Sequence, residues 1–269
     1  MIFDKIIMNP PFNGRGNLYL KITSMAKKHC NQCVCLSPYT SYVSQVKKKY
    51  IIDDINYLQN YASNYEIISG KSFGVALDKK LCIFDFHNEN NFNFDDLFFE
   101  DKFKDKSIAK IIFNKIRNYC KKDCLYNHLI IKNFNLHKYN CYIPGTRGNY
   151  NLKDDKCCWT WTTLFHPKYR YEFSNYFGKS KELSSIPFET EGECVNFVNY
   201  CDSDIFMFSI YLVKISIAMD KILFKSMPYM PTYTKAWTDE EIAKEIGLTD
   251  EEVAYIHEEM KDFGYKAMK

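Results

Sequence analysis

Glycine, net charge and long apolar runs are all in short supply in this 269-residue chain, and each shortage narrows what it can be. Ten glycines leave few places where the backbone can make a close approach to a ligand. No apolar run nears the roughly 18 residues that a membrane span requires, so no membrane association is expected. Asp4 and the pair Pro10-Pro11 precede any long apolar stretch, which fits neither a secretory nor a transit segment and leads us to expect a cytoplasmic protein. The formal charge of +3 is too small to argue for nucleic-acid binding by itself, although lysines cluster at Lys47, Lys48 and Lys49. Eleven cysteines form no regular framework and read as reduced thiols. His29, Cys30, Cys33 and Cys35 have a spacing that could ligate zinc if Cys120 and Cys124 came near. Cys33 and Cys35 sit in an apolar, strand-like run, however, so small hydrophobes are the preferred reading and no metal is expected.

What the chain does have is apolar and aromatic material, 46% and 17% of its residues, enough for a real core in one or two domains. Phe3 to Met8 is a short apolar run stopped by Pro10 and Pro11, the pattern of a buried strand ending in a rigid loop. Leu18, Ile22, Met25 and Ala26 recur at helical spacing, and Gln32 to Leu36 is β-prone before Ser37-Pro38. A helix is expected over Tyr42–Tyr61, then strands over Glu66–Ser69 and Val75–Phe86. Such alternation predicts an α/β sheet. Residues 87–105, rich in Asn, Asp and Phe, read as a connector, followed by an amphipathic helix over Ile108–Tyr119. Tyr142–Phe177 suggests a small irregular β module. Helical periodicity returns over Glu193–Lys225, and Thr238 and Thr249 each precede acids as N-caps of two short helices separated by Gly247.

The informative feature is Asn9-Pro10-Pro11-Phe12 directly after the first strand. An exocyclic amine conjugated to a purine is a poor nucleophile. Acceptors for its protons draw the nitrogen toward tetrahedral geometry as it attacks. The Asn9 side-chain oxygen and the Pro10 carbonyl are suited to that task, and two prolines hold the carbonyl rigidly without a competing N–H. Phe12 offers a ring on which an extruded base can stack. In these residues the chain resembles the adenine-N6 DNA methyltransferases of restriction-modification systems. The order of the later strands, Val34 to Pro38 and Ser72 to Phe86, is similar to that family's, as is Met230-Pro231-Thr232-Tyr233-Thr234-Lys235-Ala236-Trp237 with the capped segments after it.

The resemblance implies an α/β fold: a partial Rossmann-like methyltransferase sheet over 1–105, a mixed β-containing target-recognition module over 106–190 and a helical region over 191–269. It implies methyl transfer from S-adenosylmethionine to a flipped adenine in double-stranded DNA. Asn9, Pro10, Pro11 and Phe12 would be catalytic, with Asn9 also at the reactive end of the cofactor, and Phe73 a second wall for the base. Arg147, Trp159, Trp161, Lys168 and Arg170 fall where the family reads DNA; ordinary core packing for Phe73 and solvated charge for the basic residues stay open. The chain departs from the family in one respect. The strand, glycine-rich turn and ribose-binding acid that cradle the cofactor have no counterpart after residue 86. Phe12-Asn13-Gly14-Arg15-Gly16 spells a similar local pattern, but it overlaps the catalytic loop. A second polypeptide carrying that half, or self-association, is therefore expected to cover the unpaired edge of the first strand. The alternative is a non-catalytic DNA-binding or interaction protein derived from such a methylase.

Overall fold

The computed structural model describes residues 2–12, 18–44, 49–68, 81–129, 139–144, 158–160, 183–213 and 221–262. The chain divides into two compact units, Met1–Lys106 and Ser107–Lys269.

The first unit is built on a mixed sheet of four strands: β1 (Phe3–Met8), β2 (Cys30–Pro38), β3 (Ala62–Ile68) and β4 (Leu81–Phe86), in spatial order β1-β2-β4-β3. β1 and β2 are parallel and are joined through α1 (Leu18–Lys27). β4 runs antiparallel to both β2 and β3. Register assigns the faces. Cys33 lies opposite Phe86, Cys35 opposite Phe84 and Ser37 opposite Cys82, and all six are fully buried. Val34 with Asp85 and Leu36 with Ile83 share the other face and stay half-exposed.

The buried face carries the helices. Thr23 of α1 reaches Cys35 and Met8. Tyr42 of the short α2 (Thr40–Val43) packs on Phe84, with ring centroids 4.4 Å apart, and on Phe94, 5.1 Å away. α3 (Lys49–Gln59) packs on α1 through Ile51, Ile55 and Leu58. Phe94 opens α4 (Phe94–Lys102), a helix within the stretch read as a connector. Asn93 caps it by accepting from the Asp95 amide at 2.8 Å, and Phe94, Leu97 and Phe98 give it a buried stripe that the surrounding Asn and Asp residues obscure in the sequence.

β1 corrects a second expectation: it is a strand, but not a buried one. It lies at the end of the sheet order, and Ile2, Phe3 and Ile7 are 74%, 49% and 75% exposed. The Phe3 amide donates to His29 at 2.8 Å, so the alternate residues Asp4, Ile6 and Met8 turn their main-chain groups away from β2.

The second unit begins with α5 (Lys106–Cys120), whose first residue closes the first unit. It holds a three-stranded sheet of order β6-β5-β7, made of β5 (Tyr139–Pro144), β6 (Cys158–Thr160) and β7 (Leu183–Phe188). α6 (Glu191–Cys201), α7 (Asp204–Tyr211), α8 (Asp239–Ile246) and α9 (Asp250–Asp262) follow. Thus the regions read as recognition module and helical tail fall within one compact unit. Its core includes an aromatic cluster in which Phe197 and Tyr233 approach to 5.0 Å, as do Tyr229 and Tyr233. Tyr200 donates to the Pro228 carbonyl at 2.7 Å, and the Met230 amide donates to the Tyr233 hydroxyl at 3.0 Å. The expected capping boxes are present. Glu241 and Thr238 exchange hydrogen bonds, Glu252 and Thr249 do the same, and Gly247 ends α8 with φ of 84°.

Two substitutions separate core from edge. Phe84→Ala should cost about 3–5 kcal/mol in guanidinium unfolding. Ile7→Lys, at an exposed position, should stay within about 0.5 kcal/mol of the parent. An equally large loss at Ile7 would show that β1 is covered after all.

Candidate active site

Asn9–Phe12 leaves the carboxyl end of β1. Because β2 is parallel to β1, the segment after it, Tyr39 to Val43, starts from the same side of the sheet. The crevice outside the carboxyl ends of parallel strands is where α/β sheets bind ligands. In the loop Pro10 is buried, Asn9 and Pro11 are exposed and Phe12 is half-buried. Asn9 thus offers its amide to solvent, while the buried proline anchors the turn.

Tyr19, in the first turn of α1 and 3% exposed, links the two segments. Its ring meets Phe12 edge to face, at 6.0 Å between centroids and 87° between planes, and its hydroxyl donates to the Ser41 hydroxyl. Burial pushes the Tyr19 phenol up to about 12, with the Ser41 hydrogen bond acting in the opposite direction, so it remains a neutral donor. One turn further along α1, Thr23 donates to the Tyr19 carbonyl at 2.8 Å. Its oxygen, 3.1 Å from the Cys35 sulfur, is left to accept from that thiol. Ser37 donates to Tyr42 at 3.2 Å. A polar chain therefore runs from beneath the loop into the sheet, every member with a partner. Nothing in the sequence singles out Tyr19 or Ser41; only the fold brings Tyr19 against Phe12 and Ser41 against Tyr19.

Phe73, Arg147, Trp161, Lys168 and Arg170 lie outside the described residues. Trp159 is on β6, where its main chain is opposite Cys141 of β5.

The zinc reading of the cysteines does not hold among the described residues. Cys33 and Cys35 are fully buried, and desolvation pushes the Cys33 thiol up to about 12 and raises that of Cys35. Protonated buried thiols are poor ligands and poor nucleophiles. The one His/Cys/Asp/Glu group among the described residues close enough for a single ion is Asp204, Asp239 and His257, with ligand atoms within 4.8 Å. Sequence reading passed over it because the three residues open or lie on separate helices. His257 Nδ1 is 2.6 Å from Asp204 and its Nε2 3.8 Å from Asp239. Both ring nitrogens thus face carboxylates, the geometry of a clasp joining α7, α8 and α9. The Asp239 Oδ1 is buried without a hydrogen bond among the described residues, and desolvation raises the carboxyl above its ordinary value, against the attraction of His257.

No family model, curated protein or solved structure matches the chain. Residue chemistry and geometry alone carry the functional argument.

The clasp has a pH-dependent consequence. His257→Ala leaves Asp204 and Asp239 without their shared partner and should cost about 1–3 kcal/mol near neutrality. A raised folded-state carboxyl contributes stability at low pH that is lost as pH rises through its folded value. The deficit of His257→Ala should therefore shrink on acidification, and adding Asp239→Asn should recover part of it at neutral pH. Thermal unfolding of the single and double variants across pH tests this; a deficit that does not vary with pH argues for lost packing instead.

Proposed function

We propose that the chain is the catalytic and recognition part of a site-specific DNA adenine-N6 methyltransferase, completed by a second polypeptide. One observation carries this reading: the Asn9-Pro10-Pro11-Phe12 tetrad stands at the carboxyl end of a parallel strand that has no neighbour on its other side among the described residues. The tetrad supplies acceptors and a stacking ring where an α/β sheet binds its ligands, and the open edge matches a missing cofactor-binding half. The parallel β1–α1–β2 unit fits a partial Rossmann-like methyltransferase sheet.

In this reading a target adenine leaves the duplex and stacks on Phe12. The exposed Asn9 side-chain oxygen and the Pro10 carbonyl accept the two N6 protons. These hydrogen bonds strengthen as the nitrogen becomes tetrahedral and more positive, so they favour the transition state over the ground state. S-adenosylmethionine supplies the electrophilic methyl group. Beside β1 the described residues provide no glycine turn, helix and ribose-binding acid in succession, so they fit the reactive end of that cofactor and not its nucleoside. The nucleoside cradle is assigned to the partner, whose strand would pair with the outward main-chain groups of Asp4, Ile6 and Met8.

The isolated chain should bind S-adenosylmethionine weakly or not at all by isothermal titration. Reconstitution with the protein encoded in a neighbouring reading frame should produce site-specific adenine methylation, and Asn9→Ala should abolish it without changing the thermal midpoint. Near-normal turnover by Asn9→Ala would remove Asn9 from the mechanism. Micromolar cofactor binding and methylation by the chain alone would falsify the split arrangement while retaining the chemistry. DNA binding without methylation under any pairing favours the non-catalytic interaction protein. Duplex binding should also weaken steeply with salt as phosphate contacts displace counterions.

A further inference from the structure

We propose that Tyr19 is a positioning residue for the target base, acting through Phe12 and anchored by Ser41. The proposal rests on the reading of Phe12 as the ring that receives the base, and it adds what holds that ring in place. Phe12 is half-buried in the loop after β1 and has a defined aromatic neighbour, Tyr19, nearly perpendicular to it. An edge-to-face pair has an orientational preference that an aliphatic neighbour lacks, so Tyr19 selects one plane for Phe12.

Tyr19 can impose a plane only if its own ring is fixed, and burial together with hydrogen bonds at its hydroxyl and its main chain holds it. The side chain is 3% exposed, its hydroxyl donates to Ser41 in the segment after β2, and Thr23 bonds its main-chain carbonyl at 2.8 Å. Ser41 lies in α2, beside Tyr42, which packs on Phe84 and Phe94 in the core. The orientation of a half-exposed loop ring is thereby referred to the most buried part of the unit. A hydroxyl in this place is otherwise a poor choice for a buried aromatic, because an apolar ring would need no partner. Here the hydroxyl joins the first turn of α1 to α2, the helix that follows β2.

The test uses the full chain and a duplex carrying 2-aminopurine opposite an abasic site, which lowers the cost of extruding the base. Binding and quenching of the fluorescent base report stacking. Phe12→Ala should weaken binding about tenfold, within the range of a lost base–aromatic stack, and abolish the quench. Tyr19→Phe, which keeps the ring and drops the Ser41 bond, should retain the thermal midpoint to within a few degrees yet lose part of the quench. Ser41→Ala should match it, and the double variant should be no worse than either, because both remove one interaction. Normal binding and quenching by both Tyr19→Phe and Ser41→Ala would overturn the positioning role and leave Tyr19 a core residue, with the stacking role of Phe12 intact. If the parent chain binds the probe without a Phe12-dependent quench, or does not bind it, the stacking reading fails and the positioning role falls with it.

Discussion

The first unit is organised around β1, which pairs with a single neighbour, β2, among the described residues. Parallel pairing with β2 through the α1 crossover sends Asn9–Phe12 and the segment after β2 out on the same side of the sheet. The opposite edge of β1 leaves the main-chain groups of Asp4, Ile6 and Met8 facing away from the sheet, flanked by the exposed Ile2, Phe3 and Ile7. Parallel sheets are ordinarily covered on both sides because an unpaired amide and an exposed apolar side chain are each costly.

The rest of the first unit keeps this edge in shape. Cys33, Cys35, Ser37, Cys82, Phe84 and Phe86 form the buried face of the two inner strands, β2 and β4, with Tyr42 and Phe94 packed on it. Small sulfur-bearing residues on β2 leave room for aromatic rings from β4 and the helices. The polar chain through Thr23, Tyr19 and Ser41 crosses from this face to the Phe12 ring in the loop after β1. Buried hydroxyls are tolerated there because each has a partner, and their directionality gives the loop an orientation that apolar packing alone does not specify.

The second unit is organised differently, by helix ends. Thr190, Ser203, Thr238 and Thr249 cap four successive helices, and the His257 clasp lies where α7 and α8 begin, each with an aspartate in its first turn. Carboxylates at helix N-termini are favoured by the orphan amides and the dipole. The His257 imidazole lies between two of them, and one buried oxygen of Asp239 has no hydrogen bond among the described residues.

Much of this was legible from residue order. The α/β alternation, α1, the strand positions, the two capping boxes and the turn at Gly247 follow from local periodicity and local hydrogen bonding, which act over a few residues and therefore leave a trace in a few residues. The acceptor chemistry of Asn9 and Pro10 is likewise a property of the residues themselves. Local pattern misleads where long-range burial decides: an apolar run with β character predicts a buried strand, yet β1 ends the sheet order among the described residues with Phe3 and Ile7 exposed, because its burial depends on a neighbouring strand and not on its own composition. The helix at Phe94–Lys102 escaped notice because its apolar stripe is earned from tertiary contact with Tyr42 and Phe84 among otherwise turn-like residues. Tyr19, Ser41 and the Asp204–Asp239–His257 group belong to neither pattern. Their significance lies in distances between residues 22, 35 and 53 or 18 positions apart, and only the closing of the sheet and the docking of the helices set those distances.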